Sequence, residues 1–91
     1  MDRKARVHDL IKQIAIEVLQ AIKEQESNYS DRWVPAAQIK NDLELYFAAV
    51  PKDNKQYGEK SWLFGIVARI LEDEEKIEYK KIDRRAYCRT V

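Results

Sequence analysis

The chain contains few of the residues from which catalytic and metal sites are usually built. Among its 91 residues there is one cysteine, Cys88, and one histidine, His8. A single cysteine excludes an internal disulfide, which fits a reducing cytoplasm, and a small strand residue is its simplest role. A single histidine leaves no material for a histidine-based metal cluster or a Cys-His-Asp arrangement. The sequence therefore predicts a protein that is not an enzyme and has no cofactor or metal site.

Glycine motifs and long apolar segments are also missing. The two glycines, Gly58 and Gly65, belong to no spaced phosphate-binding motif. No apolar run approaches the roughly 18 residues of a membrane span, and the N-terminal segment lacks the apolar stretch of a secretory signal. With two prolines and 45% apolar residues, residues 1–91 are expected to form one small cytoplasmic domain, made mostly of regular secondary structure.

The first predicted element is a long amphipathic helix over residues 4–25. A helix of this length in so small a domain suggests a possible homodimer. Ile16 falls on the polar face, where it is either a lone exposed residue or part of a self-association surface. The apolar residues recur at helical spacing and form one stripe: Val7, Leu10, Ile11, Ile14, Val18 and Ile22.

Two further helices are predicted in the middle of the chain. Polar residues 25–32 indicate a loop, and the Trp33-Val34-Pro35 segment indicates a short strand that leads into the second helix. That helix should end before Pro51, and a polar connection over residues 51–60 should follow it. Its expected buried residues are Ile39, Leu43, Tyr46, Phe47 and Val50. The third helix is predicted from about Glu59 to Glu75, with a buried arc of Leu63, Phe64, Ile66, Val67, Ile70 and Leu71.

The C-terminal segment KIEYKKIDRRAYCRTV, residues 76–91, alternates as strands do and is basic. Six Lys or Arg against two acids give it a balance of +4, whereas the whole chain carries +1. A two-residue turn at Asp83-Arg84 predicts an antiparallel hairpin with one apolar face and one charged face. The predicted pairs are Ile77 with Thr90, Glu78 with Arg89, Tyr79 with Cys88, Lys80 with Tyr87, Lys81 with Ala86 and Ile82 with Arg85.

This α+β, mainly helical order of helix, short strand, two helices and hairpin resembles the winged helix-turn-helix family. The segment IVARILEDEEKIEYKKIDRRAYCR, residues 66–89, looks like the third helix and wing of many small bacterial and archaeal transcription regulators. WVPAAQIKNDL is similar to the short strand and second helix of the same fold. Two features depart from the family: the connection between the second and third helices is long, and the usual glycine is missing near Glu75 or Lys76.

The resemblance implies double-stranded DNA binding, with the third helix in the major groove and the hairpin on the backbone or minor groove. Gly65 and Ala68 would permit close approach of the helix, and Arg69 could donate two hydrogen bonds to a guanine edge. Contact residues on the helix would be Lys60, Ser61, Trp62, Gly65 and Arg69. Contact residues on the hairpin would be Lys80, Lys81, Arg84, Arg85 and Arg89.

Other interpretations of the same residues stay open. Arg69 can instead pair with Glu72 or Asp73, and the basic hairpin can be a solvated edge. A net charge of +1 is low for a DNA-binding domain, although the hairpin concentrates positive charge. The alternative function is a winged-helix module for protein–protein interaction. Its aromatic anchors would be Trp33, Tyr57, Trp62 and Tyr87.

Overall fold

A computed structural model describes residues 2–45 and 62–91. These residues form an α+β fold with three α-helices and one antiparallel sheet of three strands, in the strand order β1-β3-β2. The order of elements along the chain is the one that the sequence predicts. Their bounds are α1 Arg3–Glu26, β1 Val34–Pro35, α2 Ala36–Asp42, α3 Trp62–Asp73, β2 Ile77–Ile82 and β3 Arg85–Thr90.

The hairpin of β2 and β3 has the predicted register, which is confirmed at all six residue pairs. Asp83 and Arg84 form the connecting turn with φ angles of 50° and 69°. Two positive φ angles in a row identify a type I′ turn, which matches the twist of the strands but usually contains Asn or Gly. The pattern of alternating faces therefore fixes the register even though the turn residues are unfavourable.

The short strand β1 joins the sheet on the other side of β3. Val34 pairs with Cys88 and Pro35 with Tyr87. A proline is tolerated there because β1 is an edge strand, where a missing N–H group need not disrupt the ladder. This pairing brings the start of α2 against the middle of β3, next to the hairpin tip.

Only the C-terminal half of α1 contributes to the core. Its buried residues are Ala15, Val18 and Ile22. The N-terminal part of the predicted stripe lies outside the core, because no residue from 2 to 14 is buried. Helical spacing identifies a face, but it does not say which turns of the helix are covered by the rest of the domain. The four exposed residues of the stripe, which are 37% to 46% exposed, are Val7, Leu10, Ile11 and Ile14.

The second helix is shorter than predicted, since it ends at Asp42 rather than before Pro51. Glu44 has a φ of 52°, which is incompatible with a continuing right-handed helix. The Leu45 N–H donates to the Lys40 carbonyl at 2.9 Å, and the Glu44 N–H donates to the Asn41 carbonyl at 3.2 Å. These bonds form a Schellman motif, which satisfies the last carbonyls of a helix and stops it.

The buried residues predicted for the second helix are only partly found. Ile39 is fully buried, whereas Leu43 is 39% exposed, so its expected burial was wrong. Leu43 follows the last helical residue and thereby leaves the buried face. The predictions for Tyr46, Phe47 and Val50, and for the connection over residues 51–60, lie outside the described residues.

The third helix buries Phe64, Val67 and Leu71 as predicted. Two expectations for it were wrong. Ile66 is 42% exposed, and Ala68, which was expected to allow close approach of DNA, is only 2% exposed and packs in the core. The buried arc is therefore rotated slightly toward Ala68, because α3 packs against both α1 and β2.

The third helix ends at Asp73, two residues before the predicted end. Glu75 has a φ of 58°, and the Lys76 N–H donates to the Leu71 carbonyl at 2.9 Å. This is a second Schellman ending, in which a glutamate occupies the position that glycine usually takes. The chain thus makes the exit into β2 without the glycine common in the resembling family.

A polar contact joins the open end of the hairpin to the end of α1. The Thr90 N–H and hydroxyl both donate to the Glu26 carboxylate, with the shorter hydroxyl bond at 2.7 Å. Arg32 lies 3.7 Å from the same carboxylate. Hydrogen bonds to a charged group are the stronger kind, so this end of the sheet is fixed. The opposite end, at Asp83 and Arg84, is exposed.

Candidate nucleic-acid interface

A groove of about 540 Å³ runs between the start of α2 and the tip of the hairpin. We call it the basic groove, because its charged lining residues are Lys40, Lys81, Arg84 and Arg85, with no acid among them. Within the described ranges, none of these four cations forms an ion pair. Their charges are therefore available to an anion that enters the groove.

The local sequence explains why these cations meet. The type I′ turn places Arg84 at the tip, with Arg85 and Lys81 in the strands just behind it. The pairing of β1 with β3 then brings the first turn of α2 alongside them. Ala36 and Ala37 line the groove there, and their small side chains leave room between the cations of the helix and those of the hairpin.

Two further predicted cations, Lys80 and Arg89, gather around Trp33 instead. The Lys80 Nζ atom lies 4.1 Å from the centroid of the Trp33 ring, and the Arg89 Cζ atom lies 4.3 Å from it. Such cation–π contacts stabilise by about 0.5–1 kcal/mol at exposed sites. Arg89 is also 3.3 Å from the Glu78 carboxylate and donates to the Asp31 carbonyl at 3.2 Å. Arg89 therefore joins β3 to the loop before β1, and its charge is largely committed within the protein.

A second groove, of about 410 Å³, lies beside the basic groove and shares Pro35 and Tyr87 with it. We call it the aromatic groove, because Tyr29, Trp33 and Tyr87 line it together with Lys80. Trp33 and Tyr87, predicted as anchors of a protein interface, thus lie in one site. Lys80 belongs to this groove and not to the basic one.

The third helix contributes no residue to either groove. Gly65 is exposed, and a Cβ atom added there would meet nothing within 4 Å. The Arg69 Nε atom donates to the Asp73 carboxylate at 2.9 Å, which raises the pKa of the arginine. Trp62 is the first residue of the helix in the described range. Lys60 and Ser61 lie outside that range.

The C-terminal end of α3 is acidic where it meets solvent. Glu72, Asp73, Glu74 and Glu75 follow one another there, and all four are exposed. Arg69 is the one basic residue between Trp62 and Glu75. It forms an ion pair with Asp73, and both side chains of this pair are exposed. This end of α3 is therefore acidic at its surface, in contrast to the basic groove.

The thiol of Cys88 is poorly suited to act as a nucleophile. Burial raises the pKa of Cys88 from 9.0 to about 12, and the neighbouring Glu26 charge adds a smaller effect. The thiol lies in the core at 0% exposure, with its sulfur 3.8 Å from the Val34 carbonyl. The nucleophile in thiol reactions is the thiolate, which is scarce here at neutral pH. The structure therefore supports the role of a small strand residue.

We expect Cys88 to react with a thiol-specific reagent at pH 8 at least about a hundredfold more slowly in the native protein than in urea, because labelling requires opening of the core. Its raised pKa also means that the unfolded thiol loses its proton at lower pH than the native one. The free energy of unfolding should consequently fall as the pH rises from about 9 toward 12. Rapid stoichiometric labelling of the native protein would contradict the buried position.

Sequence reasoning missed Lys40, and it missed the contact of Lys80 and Arg89 with Trp33. Lys40 belongs to the basic groove only because β1 pairs with β3, and no short-range pattern reveals that pairing. The predicted register already places Lys80 and Arg89 close together on one face of the hairpin, which is a weak signal for their shared contact. Their aromatic partner, however, comes from a distant loop.

Comparison of the chain with protein-family models, curated proteins and solved structures finds no match. In the part of the chain that the structure describes, no helix is long and apolar enough to cross a membrane. The same residues contain no cluster of three or more His, Cys, Asp or Glu placed to hold a metal ion. The two grooves are therefore the features of the described residues from which a function can be inferred.

Proposed function

We propose that this chain is a winged-helix protein that binds double-stranded DNA, and that it acts as a small transcription regulator in the cytoplasm. The observation that carries the proposal is the basic groove, in which four cations without ion-pair partners among the described residues face one space. The order of helices and strands and the exposed basic turn of the hairpin support the winged-helix assignment.

The basic groove suits a phosphate backbone. Lysine and arginine that neutralise phosphates release condensed counterions, which is the main source of affinity for DNA. Lys40 approaches from the helix side, and Lys81 and Arg85 approach from the hairpin side. A strand of DNA backbone between them would contact cations on both flanks, while Arg84 at the tip is free to reach into the adjacent minor groove.

The third helix would supply base contacts in this arrangement. Gly65 offers open space for a base edge or sugar. Arg69 must leave Asp73 to reach a guanine, and an exposed pair of this kind is weak. Lys80 can move from Trp33 to a phosphate at the rim of the groove. Arg89 is expected to support the hairpin rather than contact DNA, because Glu78 and the Asp31 carbonyl hold it.

The proposal is tested by the salt dependence of binding to a random-sequence duplex, followed by fluorescence anisotropy. Four phosphate contacts predict a loss of about two orders of magnitude in affinity between about 50 mM and about 200 mM salt. A log–log slope of about −3.6 is the expected result. Absence of binding at the lower salt concentration, or affinity that salt leaves unchanged, would overturn the proposal.

The aromatic groove favours a second candidate function, a module for protein–protein interaction. Tyrosine and tryptophan are the residues enriched at the energetic centres of protein interfaces, and Tyr29, Trp33 and Tyr87 lie together in this groove. A Tyr87→Ala variant that retains its salt-dependent DNA binding but loses a protein partner would assign this function to the aromatic groove. Loss of DNA binding in the same variant would assign the residue to the DNA interface.

A further inference from the structure

The N-terminal half of α1 presents an apolar surface to solvent. This α1 stripe consists of Val7, Leu10, Ile11 and Ile14, which are each 37% to 46% exposed. Single exposed aliphatic residues are ordinary, but a contiguous stripe of them marks an interaction surface. The charges at the edge of the stripe indicate what covers it.

We propose that the α1 stripe packs against the α1 stripe of a second copy of the chain, with the two helices antiparallel. A two-fold axis between Leu10 and Ile11 places Val7 opposite Ile14 of the second copy. All four residues then lie in the seam, and the same patch is used on both sides, as a closed two-fold interface requires. This inference concerns α1 alone and holds whether or not the chain binds DNA.

Three charged residues select this orientation. At about 3.6 residues per turn, Arg6 and Glu17 lie along the edge of the α1 stripe that faces away from the buried Ala15. Arg3 projects from the N-terminal end of the stripe itself, between the directions of Leu10 and Ile14. None of the three forms an ion pair within the described ranges. Leu10, Ile14 and Glu17 also line a single shallow groove of about 620 Å³, so the acidic side chain adjoins the apolar surface.

The antiparallel arrangement brings opposite charges together. In this arrangement the two helices run in opposite directions, and each edge of the stripe lies beside the same edge of the second copy. Glu17 is then placed between Arg3 and Arg6 of that copy. A parallel arrangement would instead place Glu17 beside the opposite edge, at the level of Ala15 and Val18, where there is no cation. Interspersed charges of opposite sign at the border of a helical seam set partner orientation in this way.

Sedimentation equilibrium over a concentration series tests the pairing. We expect a monomer–dimer equilibrium for the unaltered protein, and a dissociation constant raised at least about a hundredfold in the variant Leu10→Glu with Ile14→Glu. Both residues are substantially exposed, so the monomer should stay folded. The matched control is Ile66→Glu, because Ile66 is exposed to a similar degree, 42%, on α3. An unaltered protein that remains monomeric at about 0.1 mM would overturn the proposal.

Charge exchange tests the orientation separately. Glu17→Arg should raise the dissociation constant at least about tenfold, and adding Arg3→Glu and Arg6→Glu to that variant should restore it. Mixed Val7→Cys and Ile14→Cys chains should form cross-links between unlike chains. Efficient cross-linking between two Val7→Cys chains, or no response to Glu17→Arg, would overturn the antiparallel arrangement. None of these residues lies in the basic groove, so a failure here leaves the DNA-binding test unaffected.

Discussion

The double substitution Lys40→Glu with Lys81→Glu is expected to reduce affinity for duplex DNA at least about a hundredfold at low salt. These lysines approach the basic groove from its two sides, from α2 and from β2. Their replacement removes two cations from the site and places two anions beside any phosphate backbone that enters it. Fluorescence anisotropy with one labelled duplex, at a fixed low salt concentration, measures the change directly.

The matched control is Lys12→Glu with Lys23→Glu. Both lysines are exposed on α1 and line neither groove, and both double variants change the net charge from +1 by the same amount. A loss confined to the Lys40 and Lys81 pair assigns the affinity to the groove. Equal losses in both variants would show that overall charge alone governs binding, and would contradict an interface at the basic groove.

Phe64→Ala is expected to lower the free energy of unfolding by about 3–5 kcal/mol, because the ring is fully buried and its removal leaves a cavity. Phe64 is 1% exposed and is the largest of the fully buried side chains. The total stability of a small domain is only about 5–15 kcal/mol, so this loss is a large fraction of it. Urea denaturation followed by circular dichroism gives the difference.

Ile66→Ala provides the comparison for this prediction, since Ile66 lies on the same helix and is 42% exposed. We expect its effect on the free energy of unfolding to stay below about 1 kcal/mol. Sequence periodicity placed both residues on the buried arc, whereas the structure separates them. Equal destabilisation by the two substitutions would show that the helix is rotated from the orientation described above.

The hairpin could be predicted in detail because its information is local. Residues 77–80 and 86–89 alternate with a period of two, and a shift by one residue would expose Ile77 and Cys88 while burying Lys80. The helix ends could not be predicted in this way. Glu44 and Glu75 adopt positive φ angles that glutamate seldom takes, so neither residue signals in the sequence that a helix ends there.

The core and the candidate site were also only partly predictable from local sequence patterns. Val18 and Ile22 of the predicted stripe lie in the core, but Val7 and Ile14 satisfy the same helical spacing and are exposed. Helical spacing identifies the apolar face of a helix. It does not show how much of the length of that helix is covered by neighbouring elements. Lys81, Arg84 and Arg85 were predicted together because one turn joins them, whereas Lys40 joins them only through the pairing of β1 with β3.

The position of β2 at the edge of the sheet has a consequence for handling this protein. Within the described residues β2 pairs with β3 alone, so its other side offers free backbone groups to any extended chain in solution. Edge strands of this kind are starting points for aggregation, and lysine is among the residues that oppose it. Lys80 and Lys81 lie next to each other in the middle of β2. Neutral replacements there would weaken a barrier against fibre-like association, whereas glutamate keeps a repelling charge on the strand. Charge reversal is therefore the safer way to probe this strand, and the two lysines protect the solubility of the chain whatever the hairpin binds.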